Sequence, residues 1–198
     1  MDMNRALALD IETTGIDPHN HSVVAIGVAD GHRTRAFLGN EDDILRDIQG
    51  FVADLVPGSL LITWNGEEFD LPFLRSRFEA LDISTSLTLR SKGGVGKYGK
   101  PLYEAVWGHV RHVDIAPMLR SRAEQLGVRW GLKPVARALL GLEPVEVDNT
   151  GESIAMMEAD TLTRYVLSDA AVTFALASHL NETHDLTLGG VPATRSIR

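Results

Sequence analysis

The 198-residue sequence predicts an α/β sandwich with a mixed central sheet flanked by helices. Two observations carry this. Three strand-length apolar segments follow one another before any helical pattern begins, as in an antiparallel meander. From Asn40 onward, stretches with apolar residues at helical spacing alternate with short apolar runs, the order that builds an α/β layer structure.

The elements follow in order. Residues 6–11 (ALALDI) read as a buried strand, and 22–29 and 33–38 as a second and third joined at the Asp30-Gly31 turn. Asn40 is placed as a helix N-cap, with Glu41, Asp42 and Asp43 near the positive end of the dipole. Ile44, Leu45, Ile48, Phe51, Val52 and Leu55 supply the apolar face, and Pro57-Gly58 closes the segment. A buried strand is expected over 59–64 and a helix over 70–81. The segment 83–107, rich in Gly, Lys and Arg, reads as irregular. A short strand over 110–113 precedes helices over 115–126 and 132–140, and a long last helix covers 161–180. One domain is expected over 1–185, with a loose polar tail over 186–198.

Composition narrows the function. Cysteine is absent, which excludes disulfides and thiolate metal sites. No apolar run is long enough for a membrane helix or signal peptide, so a cytoplasmic, soluble protein is expected. The net charge is −8, yet residues 75–137 hold 12 Lys/Arg against 5 Asp/Glu, and the rest of the chain 7 against 22. This is either an uneven solvated surface or a basic contact face on an acidic body.

Three acidic elements stand out. Asp10 and Glu12 end the first strand and, two apart, share a face. Charge there is costly unless it is paired, solvated or metal-bound. Asp70 opens a helix after Asn65-Gly66-Glu67-Glu68-Phe69, and an ordinary helix-capping role competes with a site role. Tyr165 and Asp169, at i and i+4, share one face of the last helix among apolar neighbours. Each element alone has a plain structural explanation.

In this order the three elements are more specific. The chain resembles the DEDD superfamily of 3′-to-5′ exonucleases, which have a ribonuclease-H-like three-layer fold. Asp10-Ile11-Glu12-Thr13-Thr14-Gly15 matches the first motif. Asn65-x-x-x-Phe69-Asp70 matches the second, in the spacing of family B DNA polymerase proofreading domains. Tyr165-x-x-x-Asp169 matches the third in its tyrosine (DEDDy) form, since the position used by the histidine form is Arg164. The resemblance covers roughly residues 6 to 180. It extends through His112-Val113-Asp114-Ile115 and Leu132-Lys133-Pro134-Val135-Ala136, where stand-alone predicted exonucleases are similar. A polymerase domain does not fit in the remaining residues.

The resemblance implies two divalent cations, Mg²⁺ or Mn²⁺, held by Asp10, Glu12, Asp70 and Asp169, with Tyr165 positioning the attacking water. It implies a free 3′ end of single-stranded nucleic acid as substrate, DNA in preference to RNA, and nucleoside 5′-monophosphates as products. Thr13, Thr14, Gly15, Asn65 and Phe69 would contact the terminal nucleotide, and Lys92, Lys97 and Lys100 the phosphate backbone. Asp114 is read either as a support of the site or as a helix N-cap. The competing function is a catalytically silent nucleic-acid-binding module; another is a two-metal phosphodiesterase for short oligonucleotides. Gly94 to Lys100 fits G-x-x-x-x-G-K, but Pro101 replaces the metal-binding hydroxyl of a phosphate loop. His109 and His112 have metal spacing without a supporting ligand set. Trp64, Trp107 and Trp130 offer stacking faces, with core packing expected for Trp64.

Overall fold

The computed structural model describes residues 2–96, 99–148 and 150–183. The tail expected over 186–198 and Lys97 lie outside them. Seven strands form one sheet: β1 (Ala6–Thr13), β2 (Val23–Ala29), β3 (Thr34–Leu38), β4 (Leu60–Thr63), β5 (Leu87–Val95), β6 (Pro101–Trp107) and β7 (Val110–Asp114). Their spatial order is β3-β2-β1-β4-β7-β6-β5. β4 runs parallel to both β1 and β7, and the remaining pairings are antiparallel, so the sheet is mixed. The carboxyl ends of β1, β4 and β7 therefore share one edge, where open α/β sheets form their binding crevices.

Helices cover both faces. α1 (Glu41–Ala53) and α2 (Asp70–Ala80) enclose one core with Leu7, Leu9 and Ile11 of β1. α3 (Arg120–Leu126), α4 (Leu132–Leu140) and α6 (Ala159–Glu182) enclose another with Ala6 and Ala8. The two-residue period of β1 thus sends bulky side chains one way and small ones the other. Asp10 and Glu12 continue the small-residue face, toward α6. Among the described residues, no helix is long and apolar enough to cross a membrane.

Two expectations are corrected. The segment 83–107 is not irregular, because β5 and β6 pair within it as a hairpin. Its apolar signal is weak: Leu87 alone is buried on β5, and only Ala105 and Trp107 on β6. Cross-strand pairing holds it, with the ladder interrupted between Ser91 and Val95, where Gly93 and Gly94 have positive φ. The helix expected over 115–126 starts later. Pro117 opens a single 3-10 turn, Pro117–Leu119, and α3 begins at Arg120. The pattern also misses the short α5 (Gly151–Ala155). Asn40 stands at the cap position of α1 but its side chain makes no capping bond. Glu41 instead accepts from the Val23 amide (2.8 Å) and pairs with Arg77 (2.7 Å), both side chains 11% exposed.

Candidate active site

Asp10 and Glu12 lie opposite Gly27 and Ala25 of β2. A Cβ at Gly27 would stand 2.5 Å from the Val166 carbonyl oxygen. Hydrogen in place of a side chain lets α6 lie directly on β2 beside Asp10. That approach delivers Asp169 to the strand carboxylates. One oxygen from each of Asp10, Glu12 and Asp169 falls within 4.8 Å of the others. Asp70 lines the same cleft from the first turn of α2 but stands outside this three-oxygen cluster. Tyr165 is buried and hydrogen-bonds Asp169 one turn on.

The second motif is shaped by its turn. Asn65 adopts a left-handed conformation, φ 69°, which asparagine tolerates better than most residues. Asp114, at the end of β7, accepts hydrogen bonds from the amides of Asn65 (2.9 Å), Glu67 (3.2 Å) and Ala116 (3.0 Å). It holds the turn that leads into Asp70; the helix cap expected of it is not made, because the chain after it is a 3-10 turn with Ala116 at its cap position and α3 begins only at Arg120. Phe69 lines the cleft and stacks obliquely on Phe73, 5.5 Å between centroids.

The remaining site candidates separate. Thr13 and Gly15 line the cleft, with the Thr13 hydroxyl donating to the Gly15 carbonyl (2.8 Å). Thr14 accepts from the Ser22 amide (3.0 Å) and is not part of the lining. Lys100 reaches the cleft, donates to the Ile16 carbonyl (2.8 Å) and lies 5.3 Å from the Phe69 ring centroid. Lys92 is held by both oxygens of Glu67, at 2.7 and 2.8 Å, away from the cleft lining. His109 and His112 do not converge: one contacts the Leu55 carbonyl (2.5 Å), the other the Thr63 hydroxyl (2.8 Å). Trp107 is a core residue bonded to Gln49. Trp64 packs on the α6-side core while also lining the cleft.

Lys133 is the residue that the motifs miss. Its ammonium lies 3.3 Å from Asp169, 2.7 Å from the Val145 carbonyl and 4.1 Å from the Tyr165 ring centroid. The available signal was a cation in the first turn of α4, where the helix dipole disfavours it.

The electrostatics follow from packing acids together. Burial, then Glu12, Asp169 and Asp70, raises Asp10 well above the ordinary carboxylate range, while Lys133 opposes the shift. Burial and Asp169 push Glu12 up to about 8. Asp70 is raised by burial and by Asp114. Asp169 rises with burial to about 6, held down by its Lys133 pairing. Asp70 Oδ2 and Asp169 Oδ1 are buried without a hydrogen-bond partner among the described residues. Crowded, partly orphaned carboxylate oxygens are a donor set suited to hard divalent cations, whose charge would relieve the repulsion.

The cleft encloses about 610 Å³ and is walled by Trp64, Phe69, Trp130 and Ile154 around the acids. A sequence model described as the RNase_H superfamily matches residues 7–181. DNA polymerase 1 of Sulfolobus acidocaldarius is 29% identical over 129 residues, which are 62% of this chain and 13% of that protein. A DNA polymerase of Thermococcus sp. is 28% identical over 189 residues, covering 86% of this chain and 24% of its own. The family B DNA polymerase structure from Pyrobaculum calidifontis superposes with a TM-score of 0.70 at 23% identity, over 89% of this chain and 24% of the polymerase. The chain thus spans a quarter or less of these relatives. Its sheet order, its paired carboxylates on the first strand and the span of the sequence match agree that this chain belongs to the RNase H superfamily.

Proposed function

We propose that the protein is a metal-dependent 3′-to-5′ exonuclease of the DEDDy type. It removes nucleoside 5′-monophosphates from single-stranded ends, DNA in preference to RNA. The carrying observation is the convergence of Asp10, Glu12 and Asp169 oxygens within 4.8 Å in a cleft that also contains Asp70 and Tyr165. Homology to DNA polymerases supports a nucleic-acid substrate. Trp64, Phe69 and Trp130 on the walls suit unpaired bases, which expose faces for stacking.

Bound Mg²⁺ or Mn²⁺ ions, two in number, supply an acidified water and charge stabilisation at the scissile phosphate. Asp10, Glu12, Asp70 and Asp169 would hold them, the first, second and fourth of these already converging on one point. Tyr165 orients the attacking water through its hydroxyl. Lys133 fixes the Asp169 carboxylate. Thr13, Gly15, Asn65 and Phe69 seat the terminal nucleotide, and Lys100 meets the backbone.

The test uses 5′-labelled single-stranded DNA and RNA with Mg²⁺, Mn²⁺ or chelator. A descending ladder of labelled products is expected only with metal, and is lost in Asp10→Ala with the fold intact. No cleavage of either polymer overturns the reading. Binding of the polymers without turnover would favour the silent binding module.

A further inference from the structure

One wall of the cleft lies apart from the acids and carries a cation. Trp130 lines it, and its indole N–H donates to the Ala116 carbonyl (2.9 Å), which fixes the ring. The Arg120 guanidinium lies 5.2 Å from the Trp130 centroid, with its side chain 65% exposed. Its carboxylate neighbour Glu124 stands 3.6 Å away and is equally exposed, so water weakens that pairing. Most cations of the basic central segment are occupied: Arg77 by Glu41, Arg90 by Glu104, Lys92 by Glu67, Arg137 by Glu146. Arg122 and Arg129, exposed on α3 and the turn after it, make no ion pair among the described residues. Arg120 and Arg129, which adjoins Trp130 in the chain, therefore place positive charge beside the ring.

We propose that Arg120 and Trp130 form a stacking platform for a nucleobase of the single strand outside the carboxylate cluster, with Arg129 meeting an adjacent phosphate. This rests on the nuclease reading above and adds where the polymer lies. A guanidinium packed on an indole offers a flat, cationic surface. Any base can stack on it, so the contact tolerates sequence. It acts on a strand longer than the nucleotide being removed, and so favours polymers over single nucleotide esters.

The test compares two substrates. Anisotropy of a fluorescent oligothymidylate of about 15 nucleotides, in chelator, reads polymer binding. Hydrolysis of thymidine 5′-(4-nitrophenyl) phosphate with Mn²⁺ reads the chemistry alone. Arg120→Ala and Trp130→Ala should each weaken oligomer binding by about 5- to 100-fold. Their kcat/KM should fall about tenfold further on the oligomer than on the ester. Arg129→Ala should reduce the slope of log affinity against log salt by about 0.7. Trp130→Phe should restore most of the affinity, and Arg46→Ala on α1 should leave it unchanged. Equal losses on both substrates, or wild-type oligomer affinity in both Arg120→Ala and Trp130→Ala, would overturn the proposal. If Trp130→Ala does not fold, Arg120→Ala decides by the same readouts. A protein that binds the oligomer through these residues but cleaves neither substrate would refute the nuclease reading and leave the platform standing.

Discussion

Raising the pH should destabilise the metal-free protein, and Glu12→Gln should remove much of that sensitivity. Glu12 titrates near 8 in the folded chain against 4.5 for the ordinary side chain, because burial and Asp169 disfavour its charge. An acid whose folded pKa lies above its unfolded one binds more protons when folded. Its stabilising contribution is complete below about pH 4.5 and is lost as pH climbs through about 8. At about 1.4 kcal/mol per pH unit the whole span is at most about 5 kcal/mol. Glu12 is only half-buried, and solvent screening leaves about 2 kcal/mol. Asp169 and Asp114, both near 6, act with the same sign. Urea unfolding in chelator should therefore show stability falling by about 2 kcal/mol between about pH 4 and pH 9, or roughly 4–8 °C in Tm. Saturating Mg²⁺ should abolish the fall, since the cation favours the charged carboxylates. Glu12→Gln should be flatter with pH and more stable than wild type above about pH 8. A variant as pH-sensitive as wild type would refute the reasoning, as would a chelated wild type that gains stability over this interval.

Further expectations concern the parts that hold the cluster. Gly27→Ala forces α6 off β2 and should cost about 1–3 kcal/mol in denaturant unfolding while lowering activity steeply, because Asp169 moves with the helix. Asp114→Ala leaves three amides without their acceptor and should cost about 3 kcal/mol, read by urea unfolding, with Mn²⁺ affinity falling as the turn before Asp70 loosens. Lys133→Met removes the cation that opposes the rise of Asp169, so the acid limb of the pH–rate profile should move to higher pH. An unmoved limb would mean that Lys133 does not set the charge of Asp169.

Much of this site was legible because its acids occupy positions where charge needs a reason. Asp10 and Glu12 follow alanines on the strand face that meets α6, and Tyr165 with Asp169 interrupts an apolar helix face. The β5–β6 hairpin was hidden because only three of its side chains are buried, so cross-strand hydrogen bonds, which leave no apolar period, hold it together. Gly27 was silent for a related reason: a residue whose role is to be absent leaves no pattern within its own strand. Lys133 escaped the motif reading because its partner lies 36 residues further on, across a helix–helix contact. Of the two roles read for Asp114, the helix cap is not made because no helix begins at Ile115; its carboxylate instead accepts from three amides at once.

The central claim is that Asp10, Glu12, Asp70 and Asp169 form one divalent-cation site. Crystals soaked in Mn²⁺ and measured at the manganese absorption edge test it most directly. An anomalous peak bounded by Asp10, Glu12 and Asp169, with a second on the Asp70 side of Asp10, is the predicted result. A map without a peak at these carboxylates at saturating Mn²⁺, or with manganese bound only elsewhere, would contradict it.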